Sequence, residues 1–371
     1  MKIVAIQTGR LAVPLKKPFK TALRSVSAID DVIVKVITDT GQAGLGEAPP
    51  TAVITGDTIG SVVWAIENVI APALIGLEIA NLEEIMFRLD HCLVKNSSAK
   101  AAVDIALYDL YGQLYQAPLY QLLGGYRDKL TTDITISVND PEQMARDSVE
   151  AVQRGYDTLK VKLGKTPTLD IERMKAIRQA VGSAVQLRLD ANQGWQPKEA
   201  VRILSQLEDE GLDIELVEQP VVAHDLEGLK YVTDHVATPV LADESVFSPL
   251  DAVKILQMRA ADLINIKLMK TGGIHNALQI CAMAEVYGVE CMMGCMLESK
   301  ISVTAAAHLA AAKRVITRLD LDGPSLCTVD PLPGGAIFDE QRITMTSQPG
   351  LGFDAARCPG FESLRPERKQ S

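Results

Sequence analysis

Apolar residues in this chain follow two rhythms, and the change from one to the other divides it. Near the amino terminus, Ile3–Pro14 and Asp31–Thr38 are rich in Val and Ile and are predicted as strands. Asp39-Thr40-Gly41-Gln42 is a turn signal leading into a Gly-rich third segment. Helical spacing then runs from about Gly60 to Cys92, with an interruption predicted near Pro72, and the Ala-rich stretch Ser98–Gln113 is predicted as a further helix. Gly124-Gly125 closes this part, so residues 1–125 are expected to form one α+β domain.

Beyond it, short apolar runs alternate with amphipathic stretches. Eight strands are predicted: Asp133–Ser137, Thr158–Leu163, Gln186–Asp190, Glu215–Glu218, Val240–Asp243, Leu263–Lys267, Glu290–Gly294 and Ile316–Asp320. Strand alternating with helix predicts a parallel sheet with right-handed crossovers. The strand ends are evenly spaced: 28 positions from Lys162 to Asp190, 28 on to Glu218, 25 to Asp243, 24 to Lys267, 27 to Gly294 and 26 to Asp320. Each interval fits one helix, one strand and two loops. Eight such units close an α/β fold of the (β/α)8 TIM-barrel type, expected over residues 126–323. The remaining segment, 324–371, holds Pro331, Pro333 and Gly334-Gly335 and is expected to pack back on the first domain and complete it.

Composition narrows the function classes. Lys and Arg total 37 against 47 Asp and Glu, a formal charge of −10, with 4% aromatics. That is not the footprint of a nucleic-acid binder. Ile3–Ile6 is too short for a signal-peptide core, and no run approaches the roughly 18 apolar residues of a membrane span. The six cysteines contain no CxxC pair; they read as reduced, mostly buried thiols of a cytoplasmic protein, and a zinc site is not expected. Gly41-Gln-Ala-Gly44-Leu-Gly46 lacks the dinucleotide-binding order and reads as a hairpin turn. Thr271-Gly272-Gly273 reads as a helix entry, and His308 as structural.

The candidate chemistry lies at the strand ends, where parallel barrels place their active residues. Those ends carry Lys160 and Lys162, then Asp190, Glu218, Asp243, Lys267 and Asp320. Three carboxylates converging from neighbouring strands repel one another unless a cation sits among them, and hard oxygen donors suit Mg²⁺. Lys160 and Lys162 are two apart on a strand and share a face. Like-charge repulsion from each other and from a metal is expected to lower their pKa values, tuning them as general bases. Lys267, on the sixth strand, lies opposite the second, which suits removal of a proton from one face of a substrate and its return on the other. The last strand runs into Leu319-Asp320-Leu321-Asp322, a pair of acids on one face that would take a free ammonium group.

The set Lys160-Val161-Lys162, Asp190-Ala191-Asn192, Glu218-Gln219-Pro220, Asp243-Glu244-Ser245 and Asn265-Ile266-Lys267 resembles the muconate-lactonizing subgroup of the enolase superfamily, over nearly the whole chain. The resemblance implies one Mg²⁺ per subunit held by Asp190, Glu218 and Asp243. It implies Lys162 and Lys267 as the two acid/base residues acting through an enediolate, with electrostatic help from Lys160. Asn192 and Glu244 would support the ligands from behind. Asp320-x-Asp322 is similar to the element that holds the substrate amino terminus in the dipeptide epimerases of the subgroup. Arg24, in the lid segment Pro18–Arg24, is similar to the residue there that pairs with a glutamate side chain. Arg24, Thr135, Lys160, Asp320 and Asp322 are thus the expected substrate-binding residues. The reading is a dipeptide epimerase inverting the glutamyl α-carbon of L-Ala-L-Glu and serving murein peptide turnover, without a nucleic-acid or membrane partner and compatible with a homo-oligomer. The rivals are an N-acylamino acid racemase or a cycloisomerase of the same subgroup, and a non-catalytic ligand-binding barrel.

Overall fold

Eight parallel strands succeed one another around a ring in chain order: Ile134–Ile136, Thr158–Lys162, Gln186–Asp190, Ile214–Glu218, Val240–Ala242, Leu263–Lys267, Glu290–Gly294 and Ile316–Asp320. The structure is a computed structural model, described for residues 1–21, 25–164 and 166–361. All eight predicted strands are present, with ends moved by two residues at most. The seam between the eighth strand and the first is closed sparingly. Asp133 N donates to Leu319 O at 3.4 Å, Leu321 N donates to Thr132 Oγ1 at 2.7 Å, and Arg188 Nη1 reaches both Asp133 Oδ2 (2.8 Å) and Leu319 O (2.9 Å).

Along each strand the outward residues are apolar and buried against helices, as in Leu159 and Val161 or Leu187 and Leu189. The inward set changes character along the axis. Leu216, Leu241, Leu263 and Met292 form a small apolar cluster of their own inside the ring, while Lys162, Asp190, Glu218 and Lys267 stand at the strands' carboxyl ends. The period-two alternation therefore delivers charged side chains to one mouth of a closed sheet.

A second layer caps that mouth. Ile3–Lys20, Ser25–Thr38 and Ala43–Ala48 form an antiparallel sheet. The first hairpin extends further than predicted: past a register shift between Pro14 and Phe19, Phe19 still pairs with Val26 and Lys20 with Ser25. Pro14 and Pro18, which have no N–H to donate, bracket that irregularity. The helix Ser97–Leu114 lies so close to the third strand that a Cβ on Gly44 or Gly46 would stand 2.0 or 1.8 Å from a helix carbonyl oxygen. Only glycine permits that approach.

The interruption expected near Pro72 falls later. Helix continues from Ile59 to Leu74, passing through a π-helical turn at Ile66–Ile70, and Ala71 N donates to Ile66 O, five residues back. The widened turn carries the chain into Pro72, which needs no donor at the start of its segment. The chain then resumes as helix over Leu82–His91.

After the barrel, Cys327, Leu332, Ala355 and Cys358 join Leu11, Val13, Leu15, Ile29, Ile33 and Leu45 of the capping sheet in one apolar cluster. The hairpin Ile337–Asp339 with Arg342–Thr344 pairs instead with Lys129–Thr131, just ahead of the first barrel strand. Among the described residues no helix is long and apolar enough to cross a membrane.

Candidate active site

The barrel mouth gathers Lys160, Lys162, Asp190, Glu218, Asp243, Glu244, Lys267, Asp320 and Asp322 into one buried network. Lys160 Nζ lies 2.6 Å from Asp320 Oδ2, 2.7 Å from Glu218 Oε2 and 3.2 Å from Asp190 Oδ2. Lys162 Nζ contacts Asp190 Oδ2 at 2.6 Å. Lys267 Nζ lies 2.6 Å from Asp243 Oδ2 and 3.7 Å from Glu218 Oε1. The two lysines at the strand ends thus approach the mouth from different strands, each on a different carboxylate.

Local backbone fixes these positions. Asn192, Gln193 and Gln219, which follow their strands directly, have positive φ values of 44°, 66° and 38°. Such left-handed turns are uncommon for residues with a Cβ and persist where surrounding bonds hold them. Asp190 Oδ1 accepts from Asn192 N at 2.8 Å, and Gln219 Oε1 accepts from Asp243 N (2.9 Å) and Ser245 N (3.1 Å).

Charge in this closed space sets the protonation states. Burial disfavours ionised Asp190, Asp243 and Asp320, yet their lysine partners outweigh it and hold all three below the ordinary carboxylate value. Glu218 is pushed up to about 7 by burial and Asp190, Glu244 to about 8 by burial and Asp243, and Asp322 to about 6 by burial and Asp320. For Lys160 the carboxylates around it prevail over the like-charge repulsion expected from the sequence. Burial pulls Lys160 and Lys267 down, but the surrounding carboxylates hold both above the ordinary lysine value. For Lys267 the pull of Asp243 and Glu218 exceeds the repulsion from Lys160.

Thr135 and Asp322 form the opposite wall, where Thr135 N donates to Asp322 Oδ2 at 2.7 Å. Arg24 lies outside the described residues. Lys270 and Asn265 are the side chains that sequence reasoning left without a role. Lys270 Nζ lies 2.6 Å from Asp243 Oδ1 and also contacts Asp243 O, and Asn265 Nδ2 donates to Glu218 Oε1 at 3.0 Å. The signal for Lys270 was its spacing, one helical turn after Lys267; for Asn265 it was its inward parity on the same strand. Phe19, Cys295, Leu297 and Leu326 give the pocket its apolar side. Glu298 is buried and accepts from Met296 N at 2.6 Å.

The donor set fits a hard divalent cation. Asp190, Glu218 and Asp243 present carboxylate oxygens from three adjacent strands. Six carboxylates at the mouth (Asp190, Glu218, Asp243, Glu244, Asp320 and Asp322) face four ammoniums (Lys160, Lys162, Lys267 and Lys270), a formal excess of two negative charges. Asn192 Oδ1 and Glu244 Oε2 are buried oxygens without a hydrogen-bond partner. Asp190, Glu218 and Asp243 are each also in contact with an ammonium.

Residues 4–124 match the mandelate racemase / muconate lactonizing enzyme N-terminal domain, and residues 143–357 match the enolase C-terminal domain-like family. The chain is 65% identical to an L-Ala-D/L-Glu epimerase of Clostridium acetobutylicum, over 95% of this chain and 99% of that protein. A substrate-liganded L-Ala-D/L-Glu epimerase from Bacillus subtilis superposes with a TM-score of 0.94 at 56% identity, covering 95% of this chain and 99% of that one. A dipeptide epimerase from Enterococcus faecalis complexed with Mg and L-Leu-L-Tyr superposes with a TM-score of 0.92 at 47% identity, covering 95% and 100%.

Proposed function

This chain belongs to the mandelate racemase / muconate lactonizing enzyme family of the enolase superfamily, and from that premise we propose that it is a Mg²⁺-dependent dipeptide epimerase acting on L-Ala-L-Glu and its D-Glu epimer. One observation carries the reading: two buried lysines, Lys162 and Lys267, reach one mouth from separate strands beside three clustered carboxylates. Binding alone requires no such pair, so a non-catalytic barrel is the poorer account.

One Mg²⁺ per subunit would be held by Asp190, Glu218 and Asp243, supplying Lewis-acid charge that draws in the substrate carboxylate and acidifies its α-carbon. Lys162 Nζ, as the free amine, takes the α-proton from one face, and Lys267 Nζ, as the ammonium, returns a proton on the other. The reverse reaction exchanges their roles. Lys160, held by Asp190, Glu218 and Asp320, keeps positive charge fixed beside the carbon that gains electron density. Asn192 and Glu244 brace the ligand carboxylates. Asp320 and Asp322 receive the α-ammonium, with Thr135 orienting Asp322. Arg24 pairs with the glutamyl side-chain carboxylate, for which its planar fork is suited. A cytoplasmic place in murein peptide turnover accords with six unpaired cysteines and this substrate.

The acidic pair separates this reaction from N-acylamino acid racemisation, because an acylated nitrogen leaves those charges unmatched. N-acetyl-L-Ala-L-Glu is therefore expected to react at least about 10-fold more slowly than L-Ala-L-Glu, the scale of one lost charge-assisted bond. In Asp320→Asn the gap narrows because the free dipeptide slows. A wild-type enzyme that prefers the acetylated compound would instead place it with the racemases.

A further inference from the structure

A second cavity, about 250 Å³, lies beside the catalytic pocket, between the capping hairpin and the first barrel unit. Phe19, Thr135 and Leu326 line both spaces and form the wall between them. Thr135 is also the residue whose N–H fixes Asp322, the acid that receives the substrate ammonium in the reading above. The first residue of a dipeptide carries its ammonium and its side chain on the same carbon. An ammonium seated at Asp320 and Asp322 would bring that carbon close to Thr135, which borders the second cavity.

The cavity has a definite charge. Its lining includes Lys16, Lys17, Lys20 and Arg154 against Asp147 and Glu150. Lys17 is matched, at 3.0 Å from Asp147 and 2.7 Å from Glu150, and Arg154 pairs with Glu340 outside the lining. Lys16 Nζ donates to the neutral carbonyl of Ser325 at 3.0 Å, and Lys20 enters no ion pair among the described residues. Among the described residues these two ammoniums have no carboxylate partner. Ser137 and Asn139 add neutral polar groups to a lining that also holds Phe19, Ile136 and Leu326, so the space suits a side chain with an apolar stem and a polar end.

We propose that this second cavity is the subsite for the side chain of the substrate's first residue, and that Lys16 and Lys20 select a carboxylate there. The inference rests on the dipeptide-epimerase reading and deepens it. A first residue of Glu is favoured over its neutral amide Gln, while Ala is accepted and leaves the cavity unfilled.

The test compares L-Glu-L-Glu with L-Gln-L-Glu, which differ by charge alone at the first residue, with L-Ala-L-Glu as reference, all with Mg²⁺. The wild type is expected to favour L-Glu-L-Glu over L-Gln-L-Glu about fivefold in kcat/KM, the scale of one partly solvated charge contact. In Lys20→Met and Lys16→Met the ratio falls toward one, read as a change in KM rather than kcat. A wild-type ratio near one while L-Ala-L-Glu is epimerised overturns the subsite and leaves the epimerase standing. A ratio that survives in the double variant Lys16→Met/Lys20→Met overturns the assignment of these lysines. Failure of all three peptides to react overturns the parent reading and this one with it.

Discussion

Lys162 and Lys267 are buried with a carboxylate apiece at 2.6 Å, Asp190 for one and Asp243 for the other. Removing one base leaves the opposite face of the substrate served but inversion incomplete. Lys162→Ala and Lys267→Ala are each expected to slow epimerisation by about 10²–10⁴, the usual contribution of a positioned acid or base. Each variant should still exchange the α-proton of one epimer of L-Ala-Glu, and the two should differ in which. Chiral chromatography of the product and deuterium uptake by each epimer measure this. Full epimerisation by either variant contradicts a two-base reaction. At this scale the sequence was informative because parity along a strand determines which residues face inward, and Lys160, Lys162, Asp190, Glu218 and Lys267 all have that parity. Protonation was not legible. The lowering expected for Lys160 left out Asp320, Glu218, Asp190 and Asp243, which converge on it from other strands and hold it up.

Buried acids of the capping layer tie it to the barrel by closing helix ends. Glu47, on the third capping strand, accepts from Ser299 N (3.0 Å), Ser302 N (2.9 Å) and Ser302 Oγ (2.9 Å) at the start of the helix Lys300–Ala312. Asp104, on the helix Ser97–Leu114, accepts from Ile274 N and His275 N at the start of Ile274–Tyr287. Thr271-Gly272-Gly273 thus leads into a helix whose first donors are satisfied within the chain. Glu47→Ala leaves three buried donors unmatched and is expected to cost about 1–3 kcal/mol. A urea midpoint lowered at unchanged slope measures it; an unchanged midpoint contradicts the capping role.

His308 illustrates the same helix from its far side. Its Nδ1 accepts from Tyr120 N at 2.9 Å, and burial lowers its pKa to about 3, against 6.5 ordinarily. Between those values the unfolded chain binds a proton that the folded one refuses. This residue therefore stabilises less and less as pH falls from 6.5 toward 3, by up to about 1.4 kcal/mol per pH unit. Asp109, raised to about 6 by burial, acts in the other direction over part of that range. The contribution of His308 is isolated by comparing stability against pH in the wild type and in His308→Gln, whose amide oxygen can still accept from Tyr120 N. Identical slopes would contradict it.

For the whole molecule, strand order and spacing were legible because each βα unit repeats one pattern and the strand ends carry the charges. The irregular parts were not. The hairpin past Pro14 was missed because proline was read as a strand end, whereas pairing resumes beyond the irregularity at Phe19 and Val26. The π-turn before Pro72 has no signature in hydrophobic spacing. Lys16, Lys20 and the second cavity arise where hairpin and barrel meet, and pattern along a single chain does not reveal which side chains oppose across such a junction.

The central claim is that the lysine pair and acid cluster at one mouth remove and return the α-proton of a dipeptide with Mg²⁺ present. Proton NMR of the protein with L-Ala-L-Glu and Mg²⁺ in D₂O tests it most directly. The account predicts loss of the glutamyl α-proton signal, growth of L-Ala-D-Glu, and arrest of both by EDTA with recovery on added Mg²⁺. Retention of the α-proton under those conditions, or exchange indifferent to EDTA, would contradict it.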